Sequence, residues 1–124
     1  MNGLHIIAEL NACNPDIPAL RNSLALRTLC LDACRHSGLE AVGECFHQFV
    51  DSKGEPAGAT GTVVLAESHL AIHTWPELGS VTLDLYVCNY SRDNSGNAQT
   101  AFSILVQAFV PQSVQQRHIQ RGAL

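Results

Sequence analysis

At 124 residues the chain has room for one compact domain and no second. It is 46% hydrophobic and 15% charged, a balance that excludes a disordered segment, and seven Lys+Arg against eleven Asp+Glu, with no basic run, exclude a phosphate-tracking surface. No apolar run approaches the ~20 residues that span a bilayer, and Met1-Asn2-Gly3-Leu4-His5 lacks the basic and apolar regions of a signal peptide. Neither nucleic acid nor membrane is an expected partner, and the expected location is cytoplasmic. Cys13, Cys30, Cys34, Cys45 and Cys88 are odd in number and lack C-x-x-C or zinc-site spacing, so reduced packing thiols and no metal are expected.

In chain order, Leu4–Leu10 alternates as a strand partly buried on both faces. Asn11, Asn14, Pro15, Asp16 and Pro18 mark a loop, and the apolar spacing of Leu20, Leu24, Ala25, Leu31 and Cys34 predicts one amphipathic helix over 17–37, stopped at Gly38. Residues 40–50 form a second strand, with Cys45, His47 and Phe49 on one face and Phe46 on the other. The polar, Gly/Pro-containing stretch 51–58 reads as a hairpin loop. Three strands follow at Thr60–Ala66, His69–Trp75 and Ser80–Cys88. A second helix, capped by Asn94 or Ser95, runs to Pro111, and an edge strand covers Val114–Arg121. The order β-α-β-β-β-β-α-β, with short links between strands, predicts an α+β, two-layer sandwich: a mostly antiparallel sheet with both helices on one face.

The chemistry concentrates in Glu67-Ser68-His69-Leu70-Ala71-Ile72-His73-Thr74-Trp75-Pro76-Glu77. A hydroxyl, two imidazoles, an indole and two carboxylates fall within one strand and its turn; the plain alternative is a solvated strand end. A Ser-His-Asp hydrolase has no support, because no G-x-S-x-G elbow is present. In the strand 80–88, Asp84, Tyr86 and Cys88 share the face opposite Leu83, Leu85 and Val87, which places the Cys88 thiol where polar chemistry would be. Ser68 and His73 are five positions apart, so an unbroken strand points them to opposite faces, and any chemistry that joins them requires a turn or bulge near Ser68.

The run ESHLAIHTWPE, followed by Gly79, Asp84 and Cys88, resembles the small pyruvoyl-dependent S-adenosylmethionine decarboxylase proenzymes of bacteria and archaea. LHIIAEL, Phe46-His47-x-Phe49, the T-G-x-V-V run at Thr60–Val64 and the terminal Arg-Gly pair extend the likeness over most of the chain. The resemblance implies self-cleavage between Glu67 and Ser68 into a β chain, 1–67, and an α chain, 68–124. Ser68 Oγ attacks the Glu67 carbonyl, the acyl group moves from nitrogen to oxygen, and β-elimination with hydrolysis leaves a pyruvoyl group on residue 68. That group serves as the electron sink through a Schiff base, with no pyridoxal phosphate and no metal. It further implies that His73 transfers protons during processing and that Cys88 protonates the decarboxylated carbon. Thr60, where the family commonly has serine, keeps an auxiliary hydroxyl.

By the same resemblance Glu77 holds ribose hydroxyls, and Phe49 and Trp75 stack on adenine, with core packing as the bland alternative for both aromatics. His69 flanks the cut; His5, His36, His47 and His118 receive no role. The implied reaction is decarboxylation of S-adenosylmethionine for spermidine synthesis, by a homodimer of processed protomers with sites at the dimer interface. The alternatives are the same chemistry on arginine or ornithine, or an unprocessed regulatory paralogue.

Overall fold

In the computed structural model, which describes residues 2–122, the first strand, β1 (Gly3–Asn11), buries Leu4, Ile6, Ala8 and Leu10. Its other face is open rather than partly buried, with Ile7 and Glu9 exposed and His5 half-buried, because both helices lie on one side of the sheet. Met1, Ala123 and Leu124, and with them the outer ends of the two expected fragments, lie outside the described residues.

The single helix expected over 17–37 is instead a 3-10 turn, Pro18–Leu20, and a separate helix α1 (Ser23–His36). Asn22 causes the break: its backbone is extended, and its Oδ1 accepts the N–H groups of Leu24 and Ala25, starting a new helix. Leu26, Cys30, Ala33 and Cys34 form the buried stripe of α1. Strand β2 (Glu40–Val50) is mostly exposed and turns Phe46 inward. The loop after it is shorter than 51–58. Asp51 Oδ1 accepts the N–H groups of Lys53 and Glu55, Val50 already pairs with Pro56, and β3 spans Pro56–Ala66.

A one-residue turn at Glu67 leads into β4 (Ser68–Trp75). A 3-10 turn at Pro76–Leu78, closed by left-handed Gly79, leads into β5 (Ser80–Cys88). Helix α2 (Ser95–Phe109) starts after Asn94, but the Asn94 side chain does not cap it. Its Nδ2 donates to the Cys88 carbonyl, and Asp93 accepts the Ser95 N–H instead. Val110 takes a left-handed conformation before Pro111, so α2 ends at Phe109, and the edge strand β6 covers Ser113–Arg121.

The sheet order is β2-β3-β4-β5-β1-β6, and every pairing is antiparallel. The result is the expected α+β two-layer sandwich. Ile6, Leu70, Ile72, Val81, Leu85, Leu105 and Phe109 fill its interior without exposure. The opposite sheet face carries Ile7, Val64, Trp75 and Ile119 at 40–47% exposure. At least 18 residues with sustained apolar character would be needed to cross a membrane as a helix, and no helix among the described residues qualifies.

Phe46 lies on Gly61 in the neighbouring strand so closely that a Cβ there would come within 2.0 Å of its ring. Gly61→Ala should therefore lower stability in urea unfolding by ~1–3 kcal/mol, the usual cost of overpacking. Phe46→Ala should cost less in that background than alone, since the clash is then relieved; equal costs would show that the ring moves freely.

Candidate active site

Strand β4 is hydrogen-bonded to β3 on one side and to β5 on the other, without a register shift, and the residues singled out in the sequence divide between its two ends. At the first end, Ser68 is half-buried and has φ 110°, a conformation an L-residue adopts only at a cost of ~1–3 kcal/mol. Glu67 Oε1 accepts both the N–H of Ser91, at 3.1 Å, and its Oγ–H, at 2.8 Å, so the residue before Ser68 is fastened to the loop after β5. Ser68 pairs with Val87, which places Cys88 beside it; Cys88 is 7% exposed and its carbonyl is held by Asn94. The Asn89 N–H donates to the Asn2 carbonyl, and the Asn89 Oδ1 accepts the Asn94 N–H, bracing this loop further.

At the other end of β4, His73 stands between Thr60 on β3 and Thr82 on β5. Thr60 Oγ1 lies 2.5 Å from His73 Nδ1. With Nδ1 engaged, Nε2 is the nitrogen left to move a proton. A cavity of about 310 Å³ is lined by Phe49, Thr60, His73, Trp75 and Glu77, five residues expected to contact substrate or assist catalysis. Phe49 is 49% exposed and Trp75 44%, so neither is a core residue of the protomer. The lining is largely apolar, with one carboxylate, one imidazole and threonine hydroxyls, which suits a flat heteroaromatic ring and a hydroxylated or cationic attachment.

The turn at Glu67 does not bring Ser68 and His73 together as the spacing argument required. Five residues of continuous strand separate them by about 16 Å, and Cys88 stays with Ser68. The residues expected to share one site therefore fall into two groups at opposite ends of one strand.

Between them lies a polar network that sequence reasoning missed. Asp84 Oδ1 is 2.8 Å from His69 Nε2 and 3.1 Å from His5 Nε2, and the Tyr86 ring lies 5.5 Å from the His5 ring and 6.0 Å from that of His69. The Arg121 guanidinium covers Tyr86 at 4.2 Å. His5 had no expected role, and the only sequence signal was the shared face of Asp84, Tyr86 and Cys88. Ser91 was missed too, because nothing local links it to Glu67.

The other thiols behave differently from one another. Burial raises the Cys13 thiol above its usual range and pushes Cys34 up to about 11. Burial, reinforced by Cys34, raises Cys30 further. These three are packing residues, whereas Cys45 is exposed on β2, contrary to the packing expectation.

Residues 4–122 match the S-adenosylmethionine decarboxylase family. The S-adenosylmethionine decarboxylase proenzyme of Picrophilus torridus is 37% identical over 121 residues, covering 98% of this chain and 85% of the relative. That of Archaeoglobus fulgidus is 34% identical over 120 residues, 97% of each chain. The crystal structure of the adenosylmethionine decarboxylase from Aquifex aeolicus VF5 superposes with a TM-score of 0.82 at 32% identity, covering 98% of this chain and 92% of that one. On sequence and on fold alike, the chain belongs to the S-adenosylmethionine decarboxylase family.

Proposed function

We propose that the chain cuts itself between Glu67 and Ser68, carries a pyruvoyl group derived from Ser68, and decarboxylates S-adenosylmethionine in the cytoplasm as a step of spermidine synthesis. The observation that carries this reading is the cavity: Phe49, Thr60, His73, Trp75 and Glu77, scattered over 29 positions of sequence, converge on one lining. Its aromatic walls suit an adenine and a sulfonium cation, and Glu77 suits ribose hydroxyls. An arginine or ornithine substrate would leave those aromatic faces without a ring to stack on.

Because Ser68 and His73 sit about 16 Å apart along β4, a second copy completes the site. Pairing two open sheet faces about a two-fold axis near the middle of β4 brings the Ser68 end of that strand and Cys88 toward the partner's His73, Thr60 and aromatic cavity. The same operation builds a second, identical site. The exposed Ile7, Val64 and Ile119 give that face an apolar component for pairing.

Within such a site each group has defined work. The strained Ser68 backbone and the fastened Glu67 hold the scissile bond, Ser68 Oγ attacks the Glu67 carbonyl, and His73 Nε2 relays the proton. The N-to-O acyl shift and β-elimination free the Glu67 carboxylate, and hydrolysis of the resulting enamine releases ammonia. The pyruvoyl group then supplies an electron-withdrawing carbonyl for decarboxylation. Ser68 fits this role, since it supplies the carbons itself, is half-buried and lies beside Cys88. The Cys88 thiol delivers a proton to the substrate carbon that has lost carbon dioxide.

Intact-mass analysis should find residues 1–67 and a 68–124 fragment lighter than a Ser68-terminated peptide by one ammonia; a full-length species after long incubation overturns the reading. Ser68→Ala and His73→Ala should each stay uncut alone. Co-expressed, they should yield cleavage of the His73→Ala chain only, because its Ser68 meets the partner's His73; no rescue would place the site within one protomer.

Cys88→Ala should still cleave but lose ~10²–10⁴-fold in carbon dioxide release, the usual contribution of a positioned acid. Its 68–124 fragment should gain an N-terminal alanine on prolonged incubation with S-adenosylmethionine, from protonation at the wrong carbon. Full activity without that alanine would transfer the role to Tyr86.

Ser91→Ala should slow self-cleavage by about tenfold, as expected when a hydrogen bond to a charged group worth ~1.5 kcal/mol is lost, and Ser91→Thr should restore it. Unchanged cleavage kinetics in Ser91→Ala would show that the Glu67 contact is incidental.

A further inference from the structure

We propose that His5, His69 and Asp84 form a binding site for one divalent transition-metal ion of the zinc, cobalt or nickel kind. The three side chains come from adjacent strands β1, β4 and β5, and each offers one donor atom, His5 Nε2, His69 Nε2 and Asp84 Oδ1, all within 4.8 Å of one another. In a tetrahedral zinc site, bonds of ~2.0–2.1 Å set neighbouring donors about 3.3–3.4 Å apart. The observed 2.8 and 3.1 Å to Asp84 need open by only a few tenths of an ångström, while the two Nε2 atoms, no more than 4.8 Å apart, must settle at the same spacing; both changes lie within the reach of side-chain torsions on a fixed sheet.

The donor chemistry selects the ion. Two imidazoles and one carboxylate suit zinc, cobalt and nickel, whereas magnesium and calcium require oxygen shells that this face does not offer. A neutral histidine that surrenders its Nε2 proton to the metal's place must carry that proton on Nδ1. Neither His5 nor His69 uses Nδ1 in a hydrogen bond among the described residues, so the tautomer change breaks no other contact. The carboxylate offsets one of the ion's two charges, while the Arg121 guanidinium is drawn aside over the Tyr86 ring. Three protein ligands leave a fourth position for water or another ligand.

The site uses neither Ser68 nor Cys88, but it lies on the open sheet face that the proposed pairing covers, so metal uptake is read on the assembled protein. It does bind together β1 from the stretch before the expected cut and β4 and β5 from the stretch after it. A bound ion would therefore clamp the two pieces to each other, through the residue that directly follows Ser68.

The test is titration of chelator-stripped, full-length-expressed protein with Co²⁺ and with Zn²⁺. One Co²⁺ per chain should bind, giving ligand-field absorption without a thiolate charge-transfer band, and Zn²⁺ should displace it and raise the Tm. His5→Gln and Asp84→Asn should each weaken uptake by more than the ~10–100-fold typical of changes one shell further out. His118→Gln and Cys45→Ser should leave it unchanged. Absence of uptake, equal uptake in His5→Gln and Asp84→Asn, or a thiolate band abolished by Cys45→Ser would each overturn the site. Should the two ligand variants fail to fold, the ring proton resonances of the wild-type protein decide: two histidines must shift together on adding Zn²⁺, and no paired shift overturns the proposal.

Discussion

The arrangement of chemistry in this molecule depends on β4 being a continuous strand, paired on both edges from Ser68 to His73 and by β5 alone to Trp75. A strand so held cannot bend to bring its ends together without breaking ladder hydrogen bonds on two sides. Its geometry sets the spacing of everything attached to it: the hydroxyl at one end, the aromatic cavity at the other, and the histidine–aspartate network between. Catalytic groups on a central strand gain precision, because their rotamers and positions are inherited from the sheet. The cost is reach, which the proposed pairing with a second copy of the sheet would recover.

The two faces of the sheet divide the work. The helix-covered face is packed with Ile6, Leu70, Ile72, Leu85 and Phe109, and supplies the burial that holds six strands flat against α1 and α2. The open face carries His5, His69, His73, Asp84, Thr60 and Thr82 at alternate positions of the same strands, so each of these side chains is backed by a buried neighbour one residue away. Asn94 links the layers: it sits where a helix cap belongs, yet spends its side-chain amide on the carbonyl of Cys88. Local helix propensity yields there to the need to fix the end of β5.

Much of this was legible in the sequence wherever a pattern is periodic. The alternation of Val81, Leu83, Leu85 and Val87 identifies both the strand and the outward face of Asp84, Tyr86 and Cys88. The break at Asn22 was not, because the apolar positions on either side keep helical spacing and only the side-chain cap interrupts it. Pro56 and Gly58 read as loop residues, yet Pro56 pairs with Val50 as the first residue of β3, where a missing N–H is tolerated, and Gly58 falls at the irregularity between Gln48 and Val50. Parity showed that Ser68 and His73 could not simply share a face of one strand, but it carries no information on separation, and so the two groups became visible only with the register. The contacts of Glu67 with Ser91 and of His5 with Asp84 span 24 and 79 residues, beyond any local signal.

The strand order explains how a chain of this topology can be cut in its middle and stay assembled. The stretch before Ser68 supplies β1, β2 and β3, and the stretch from Ser68 onward supplies β4, β5 and β6. In the sheet they are not side by side: β1 is inserted between β5 and β6, while β3 pairs with β4. Separating the pieces would require stripping β1 from two neighbours at once and unzipping β3 from β4, as well as exposing the core residues that α1 and α2 bury together. The proposed scission at Glu67–Ser68 would remove one covalent link at a hairpin turn, where the ends are held by Ser91 on one side and by the pairing of Ser68 with Val87 on the other. The bond that the proposed chemistry would consume is thus one on which the fold does not rely, and the inserted position of β1 is what makes it dispensable.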